Sequence, residues 1–172
     1  EAINSLEFLN DLRIDSRHNV YGEDIVVIGG GNTAMDCARA AKRLPGVNNV
    51  SLVYRRDKRN MPADEEELLT TLDEDVTFRE LLSPVSLENG YLTCEVMKLG
   101  KRDESGRQRP ESTGQFVDIK ASTVVSAIGE KVDDSYFNEL GIQTDPRGRV
   151  LVDPNTLETN LEHVYVVGDA HR

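Results

Sequence analysis

Gly29-Gly30-Gly31-Asn32-Thr33-Ala34 follows without a break on the apolar run Ile25-Val26-Val27-Ile28, and a helix-compatible stretch, Met35 to Leu44, comes next. A strand, a glycine turn and a helix in that order bring unpaired backbone N–H groups and the positive end of a helix dipole to one point, where an anion is favoured. The spacing is G-x-G-x-x-A, a variant of the turn that holds the pyrophosphate of a dinucleotide. In that pattern Gly29 permits the tight turn, Gly31 omits the side chain that would block a phosphate, and Ala34 lets the helix lie close to the strand. Gly30, Asn32 and Thr33 complete the candidate cofactor-binding turn.

The second apolar run, Val50 to Tyr54, ends in Arg55-Arg56. A site for NAD places a carboxylate at the end of this strand to accept from the ribose hydroxyls, and such a group would repel a 2′-phosphate. Two guanidinium groups reverse the sign, and their planar fork of donors suits a phosphate dianion. The expected cofactor is therefore NADP (NADPH) rather than NAD, with Arg55 and Arg56 as its phosphate ligands. The competing reading has the arginines end the strand in solvent, facing the acidic helix that follows. Lys58 and Arg59 extend the basic run as lesser candidates. No residue reads as a catalytic acid, base or nucleophile, and none as a metal ligand. His18, His163 and His171 lie in loops or at the chain end without ligand spacing.

A parallel sheet must position this turn. Helical spacing of Ile3, Leu6, Leu9 and Leu12 predicts a helix over 3–13, leading through a polar stretch to the first strand. Pro45-Gly46 ends the helix after the glycine turn. Met61-Pro62-Ala63 precedes an acidic helix over 64–73, and a strand through Val76 and Phe78, extending to Leu81-Leu82, follows. The βαβαβ rhythm then breaks. Asn89-Gly90 is a hairpin signal, Leu92, Cys94 and Val96 alternate, and a charged loop with Gly100, Gly106, Pro110 and Gly114 leads to Phe116–Ile119. Val124–Ile128 returns to the parallel sheet and stops at Gly129. A short helix over 134–140 and strands at 148–153 and 164–167 close the chain, the last two with no evident partner in the parallel sheet. The expected class is α/β, a Rossmann-like parallel sheet with helices on both faces and an inserted antiparallel β-meander. It divides into a lead-in over 1–22, a nucleotide-binding region over 23–129 carrying the insert at about 83–120, and a segment over 130–172 belonging to another, incomplete domain.

Composition narrows the partners. At 172 residues, 38% apolar and 30% charged, the chain has room for one ordinary domain. No run approaches the ~20 apolar residues of a membrane span. A net charge of −11 argues against nucleic acid and against an anionic membrane. Four basic residues among the five positions 55–59 stand out against that background. Cys37 and Cys94 are too few for a disulfide framework or an iron–sulfur cluster and read as buried, inert thiols of a cytoplasmic protein. The N-terminus has neither an initiator methionine nor a basic-then-apolar leader, which reads as a piece of something longer without a secretory signal.

The C-terminal run Val164-Tyr165-Val166-Val167-Gly168-Asp169-Ala170, taken with Ala127-Ile128-Gly129, resembles the flavin-contacting parts of flavoproteins with two dinucleotide domains. The closer resemblance is to the glutamate synthase small-subunit group of FAD/NAD(P)H oxidoreductases. That group shares a Gly-Gly-Gly-Asn-Thr-Ala-Met-Asp turn, as in residues 29–36, and Tyr-Arg-Arg followed by Met-Pro, as in residues 54–62. Val96–Gly100 with Arg107–Pro110 looks most like the selenate reductase iron–sulfur flavoprotein subunits of the group. The resemblance implies an NAD(P)H domain inserted into an FAD domain, with the return through Ile128-Gly129 and the FAD contact at Gly168-Asp169. It implies hydride passing from NADPH to FAD, then electrons to iron–sulfur centres or another subunit of the parent enzyme. A second flavin-type glycine motif and the flanking cysteines of the group are absent from this sequence. The segment is thus expected to bind nucleotide, to hold flavin poorly, and to be inactive alone. A stand-alone nucleotide-binding or sensing module shares the glycine turn but accounts for neither the Gly-Asp end nor the meander. A methyltransferase would need an acid where Arg55 stands.

Overall fold

The computed structural model describes residues 2–102, 108–129, 135–146 and 148–168. The chain divides into two compact units, Glu1–Gly129 and Glu130–Arg172.

The first unit is built on a five-stranded parallel sheet in the order β1-β8-β2-β3-β4. Its strands are β1 (Ile3–Asn4), β2 (Asp24–Ile28), β3 (Asn49–Tyr54), β4 (Thr77–Glu80) and β8 (Thr123–Ser126). The helices between them are α1 (Ser5–Ile14), α2 (Asn32–Lys42) and α3 (Glu65–Asp73). The predicted lead-in helix starts two residues late because Ile3 and Asn4 pair with Val125 and Ser126 of β8. Asn4 then caps α1, its side-chain oxygen accepting from the Leu6 N–H at 2.7 Å.

Period-two alternation sorts each strand onto two faces. Ile25, Val27, Val50, Leu52 and Val125 join one cluster with Phe8 of α1, the small face Ala34, Cys37, Ala38 and Ala41 of α2, and Leu68 of α3. Burying a side chain such as Leu52 there contributes about 1.5–3 kcal/mol. Val26, Val53 and Val124 point the other way and pack against Leu82, Leu92, Cys94 and Ile119. Those four belong to a second, antiparallel sheet of β5 (Leu82–Glu88), β6 (Tyr91–Arg102) and β7 (Gln108–Lys120). The Rossmann-like parallel sheet and the inserted meander are therefore as expected, but its coverage differs. Instead of helices on both faces, α1–α3 share one face and the meander covers the other. The apolar residues of the insert supply a flat, half-buried surface that substitutes for a helical layer.

The hairpin at Asn89-Gly90 has φ of +52° and +78°, the two left-handed residues a tight β-turn needs. The charged loop expected before Phe116 is mostly strand. Leu99 pairs with Pro110 and Met97 with Ser112, with irregular register between Glu95 and Met97 and between Leu99 and Arg102. Proline is tolerated because β7 is an edge strand. The strand expected to run to Leu82 breaks at Leu81, whose φ of +56° turns the chain from the parallel sheet into the meander.

Among the described residues of the second unit, α4 (Ser135–Glu139) matches the predicted helix. The two predicted strands are not strands. Their residues make only the isolated bridges Thr144–Val150 and Glu158–Tyr165. A small cluster of Ile142, Val150 and Val166 gathers Phe137, Val152, Leu161 and Val164 around it. A strand needs a ladder partner, and none is at hand for these runs among the described residues of the unit. Asp169 and His171 lie outside the described residues.

Candidate functional site

Strand order alone marks where a ligand would lie. From β2 the chain moves outward to β3 and β4, then returns to β8 on the opposite side of β2. That reversal opens a crevice at the carboxyl ends of β2 and β8, the usual ligand position in such sheets. Gly29 leaves β2 there, and Ala127 leaves β8, donating to the Ile28 carbonyl at 2.8 Å.

Each glycine of the turn has its own reason. Gly29 has φ of +154°, and a Cβ on it would run into the Ala127 carbonyl and lie 3.0 Å from the Ala34 Cβ. A Cβ on Gly30 would fall 2.5 Å from the ring of Tyr54. At Gly31 a Cβ would meet nothing within 4 Å. Two positions are glycine because protein fills the space, and the third borders open space where an outside group can approach the backbone. Gly31 is the N-cap of α2 and supplies no side-chain cap to its first N–H groups. Ala34 is fully buried, as close contact of helix and strand requires. This open, donor-rich helix start fits a pyrophosphate.

Thr33 is exposed at the start of α2, whereas the Asn32 side chain is already engaged. Its amide donates to the Asp64 carboxylate at 3.2 Å and accepts from the Asp64 backbone N–H at 3.1 Å. Ala63 donates its N–H to the Gly30 carbonyl at 3.0 Å. The Met61–Asp64 segment thereby closes over the turn and sets the start of α3 beside that of α2. Sequence reasoning did not assign these roles to Ala63 and Asp64; their only signal was the Met-Pro that precedes them.

Arg55 and Arg56 directly follow β3. Arg55 is exposed and Arg56 half-buried. Among the described residues neither forms an ion pair, so the acidic helix does not hold them. Arg56 Nε is also the one buried side-chain polar atom among the described residues without a hydrogen-bond partner. A buried donor left open is costly unless something completes it. Its backbone is held, because its carbonyl accepts from Leu81 at 3.1 Å. Lys58 and Arg59 stand in a short 3-10 turn, Lys58–Asn60, and line a cleft of about 550 Å³ with Asp57, Met61, Ala63 and Glu80. Glu80 accepts from the Lys58 N–H at 2.9 Å. Ala63, which bonds the Gly30 carbonyl, sets that cleft beside the glycine turn, but neither the three glycines nor Arg55 and Arg56 line it.

At the other side of the crevice Ile128 is 77% exposed, and Gly129 has φ of +109°. Gly168, in the second unit, has φ of +70°. Cys37 and Cys94 are fully buried and unpaired. His18 and His163 are surface residues.

Strand order, switch point and glycine turn together define an α/β protein of the dinucleotide-binding, Rossmann-like class. The chain belongs to the pyridine nucleotide-disulphide oxidoreductase family, which it matches over residues 2–172. It is 42% identical over 172 residues to a protein of Escherichia coli O157:H7 named "Putative oxidoreductase YgfK", covering 99% of this chain and 16% of that protein. It is 35% identical over 161 residues to the glutamate synthase [NADPH] small chain of Azospirillum brasilense, covering 90% of this chain and 33% of that one. The fold is similar to that of FprA from Mycobacterium tuberculosis, with a TM-score of 0.75 at 20% identity over 98% of this chain and 53% of that structure. The chain thus spans a third or less of the length of these two sequence relatives. No described helix is long and apolar enough to cross a membrane.

Proposed function

We propose that this chain is the NADPH-binding region of a larger flavin-dependent oxidoreductase. The observation that carries the reading is the open start of α2, where a Cβ on Gly31 would meet no atom within 4 Å and no side chain caps the first N–H groups. The α2 N–H groups and the turn Gly29–Ala34 hold the pyrophosphate, while Arg55 and Arg56 hold the 2′-phosphate. The open donor at Arg56 Nε supports that assignment. Ile128 and Gly129, on the β8 side of the crevice, face the nicotinamide half.

Bound NADPH supplies a hydride, and the residues of this chain position it and neutralise its phosphates. The segment 130–172 belongs to an FAD-binding domain, with Gly168 and Asp169 at the flavin. FAD, iron–sulfur clusters and other redox subunits are the partners in the parent protein, which is of the type of the selenate reductase iron–sulfur flavoprotein subunits. Two buried free thiols suit a reducing cytoplasm. Neither nucleic acid nor a membrane surface suits a net charge of −11.

Titration with NADPH and NADH tests the cofactor assignment. Two charge-assisted bonds to the 2′-phosphate predict at least about a hundredfold preference for NADPH. In the double variant Arg55→Glu, Arg56→Glu that preference vanishes and the melting temperature holds. Undiminished NADPH affinity in that variant would remove the arginines from the site.

A further inference from the structure

Tyr54 is the last residue of β3 and is only 9% exposed. Two separate contacts explain why an aromatic residue with a hydroxyl ends this strand. Its ring lies against Gly30 so closely that no side chain fits there. Its hydroxyl donates to the Asn60 carbonyl at 2.8 Å. Between those two residues the chain carries Arg55, Arg56, Lys58 and Arg59. The Tyr54–Asn60 bond therefore closes a loop that holds four cations, and the ring of the same residue rests on the phosphate turn. Two other bonds help: Asp57 accepts from the Asn60 side chain at 2.6 Å, and Ala63 reaches the Gly30 carbonyl at 3.0 Å. Tyr54 thus touches both the glycine turn and the far end of the basic loop.

We propose that Tyr54 is a positioning residue for cofactor choice: its hydroxyl holds the 55–60 loop shut, so that the cations meet a 2′-phosphate without first being ordered. This rests on the NADPH reading above. Like charges crowded on a short loop repel one another, and an open loop would spread them. Closure in advance removes that ordering cost from binding. The effect falls on the 2′-phosphate alone, because the pyrophosphate is held by the glycine turn, whose contact with the Tyr54 ring does not need the hydroxyl.

The test compares 2′,5′-ADP with 5′-AMP, two probes that differ only in the 2′-phosphate, by calorimetry on the 172-residue chain. Tyr54→Phe keeps the ring and removes the hydroxyl. Tyr21→Phe is the control, since it removes a different hydroxyl bond, to Asp11 at 3.0 Å. In the unaltered chain 2′,5′-ADP binds the tighter, and Tyr54→Phe weakens it by about three- to tenfold, the range of one lost hydrogen bond, while 5′-AMP is unmoved. Tyr21→Phe leaves the ratio of the two affinities unchanged. Hydrogen exchange reads the same loop directly: the amides of Asn60 and Met61 exchange faster in Tyr54→Phe, and those of α2 do not. Equal weakening of both probes, or an unchanged ratio in Tyr54→Phe, overturns the positioning role. Equal affinity of the unaltered chain for the two probes overturns instead the NADPH reading beneath it.

Discussion

Asn32 and Asp64 hold each other reciprocally across 32 residues of sequence, each giving and receiving one hydrogen bond. Asn32 opens α2 and Asp64 precedes α3, so this pair fixes the spacing of two helix starts at one edge of the candidate site.

A double-mutant cycle with Asn32→Ala and Asp64→Ala measures that relationship. Each single change is expected to cost about 0.5–1.5 kcal/mol of stability, and the double change less than their sum by about 0.5–1 kcal/mol. Additive losses would mean that the two residues act independently. Nucleotide affinity should fall in all three variants if the α3 start helps frame the site.

The three glycines separate packing from binding. Gly30→Ala drives a methyl into the Tyr54 ring and is expected to cost about 1–3 kcal/mol in a urea melt. Gly31→Ala meets no protein atom within 4 Å and its φ of −95° suits any residue, so the stability cost is confined to alanine's poorer N-cap preference, about 0.5–1.5 kcal/mol. NADPH affinity should nevertheless drop about tenfold or more there, because the methyl occupies the space a pyrophosphate needs. Full affinity in Gly31→Ala would place the phosphates elsewhere.

Asp24 and Glu74 contribute to the acid limb of stability. The Lys120 hydrogen bond, then that from Asn49, holds the buried Asp24 below its ordinary value of 3.8, with burial opposing. For Glu74 burial is the largest influence and raises the carboxyl, but hydrogen bonds from Arg39 and Arg43 outweigh it and leave the group below 4.5. A lowered folded value means that the unfolded chain takes up protons first. Both contributions are therefore complete above the ordinary carboxylate range and are lost as pH falls through the folded values. Urea midpoints measured downward from about pH 6 should fall below about pH 4.5, and fall less steeply in Arg39→Met and Lys120→Met. An identical slope in both variants would remove these pairs from the acid limb.

Thiol chemistry should be silent. Burial, with Asp36 adding to it, pushes the Cys37 thiol up to about 12, and burial pushes Cys94 up to about 11. Since the thiolate is the reactive form, a disulfide reagent at about pH 8 should label neither cysteine in the folded chain and both in denaturant. Rapid labelling of the native chain would show that one of the two packed clusters opens readily.

Local order along the chain was legible in advance. An apolar run, a glycine turn, an alanine-rich helix and a second apolar run dictate a βαβ unit because periodicity and backbone freedom act over a few residues. Asn89-Gly90 announced its hairpin for the same reason. Arg55 and Arg56 could be placed at a strand end because Tyr54 closes the apolar run. Other features depended on contacts that no local pattern encodes. The meander covers a sheet face where a helix layer was expected, because Leu82, Leu92, Cys94 and Ile119 fit Val26, Val53 and Val124. Runs at 148–153 and 164–167 have strand-like composition, yet a strand exists only where another chain segment completes its ladder. The links from Tyr54 to Asn60 and from Asn32 to Asp64 also appeared only in three dimensions. Residue types and spacing determined which chemistry this chain can offer; the packing of distant segments decided which groups stay open to meet a ligand.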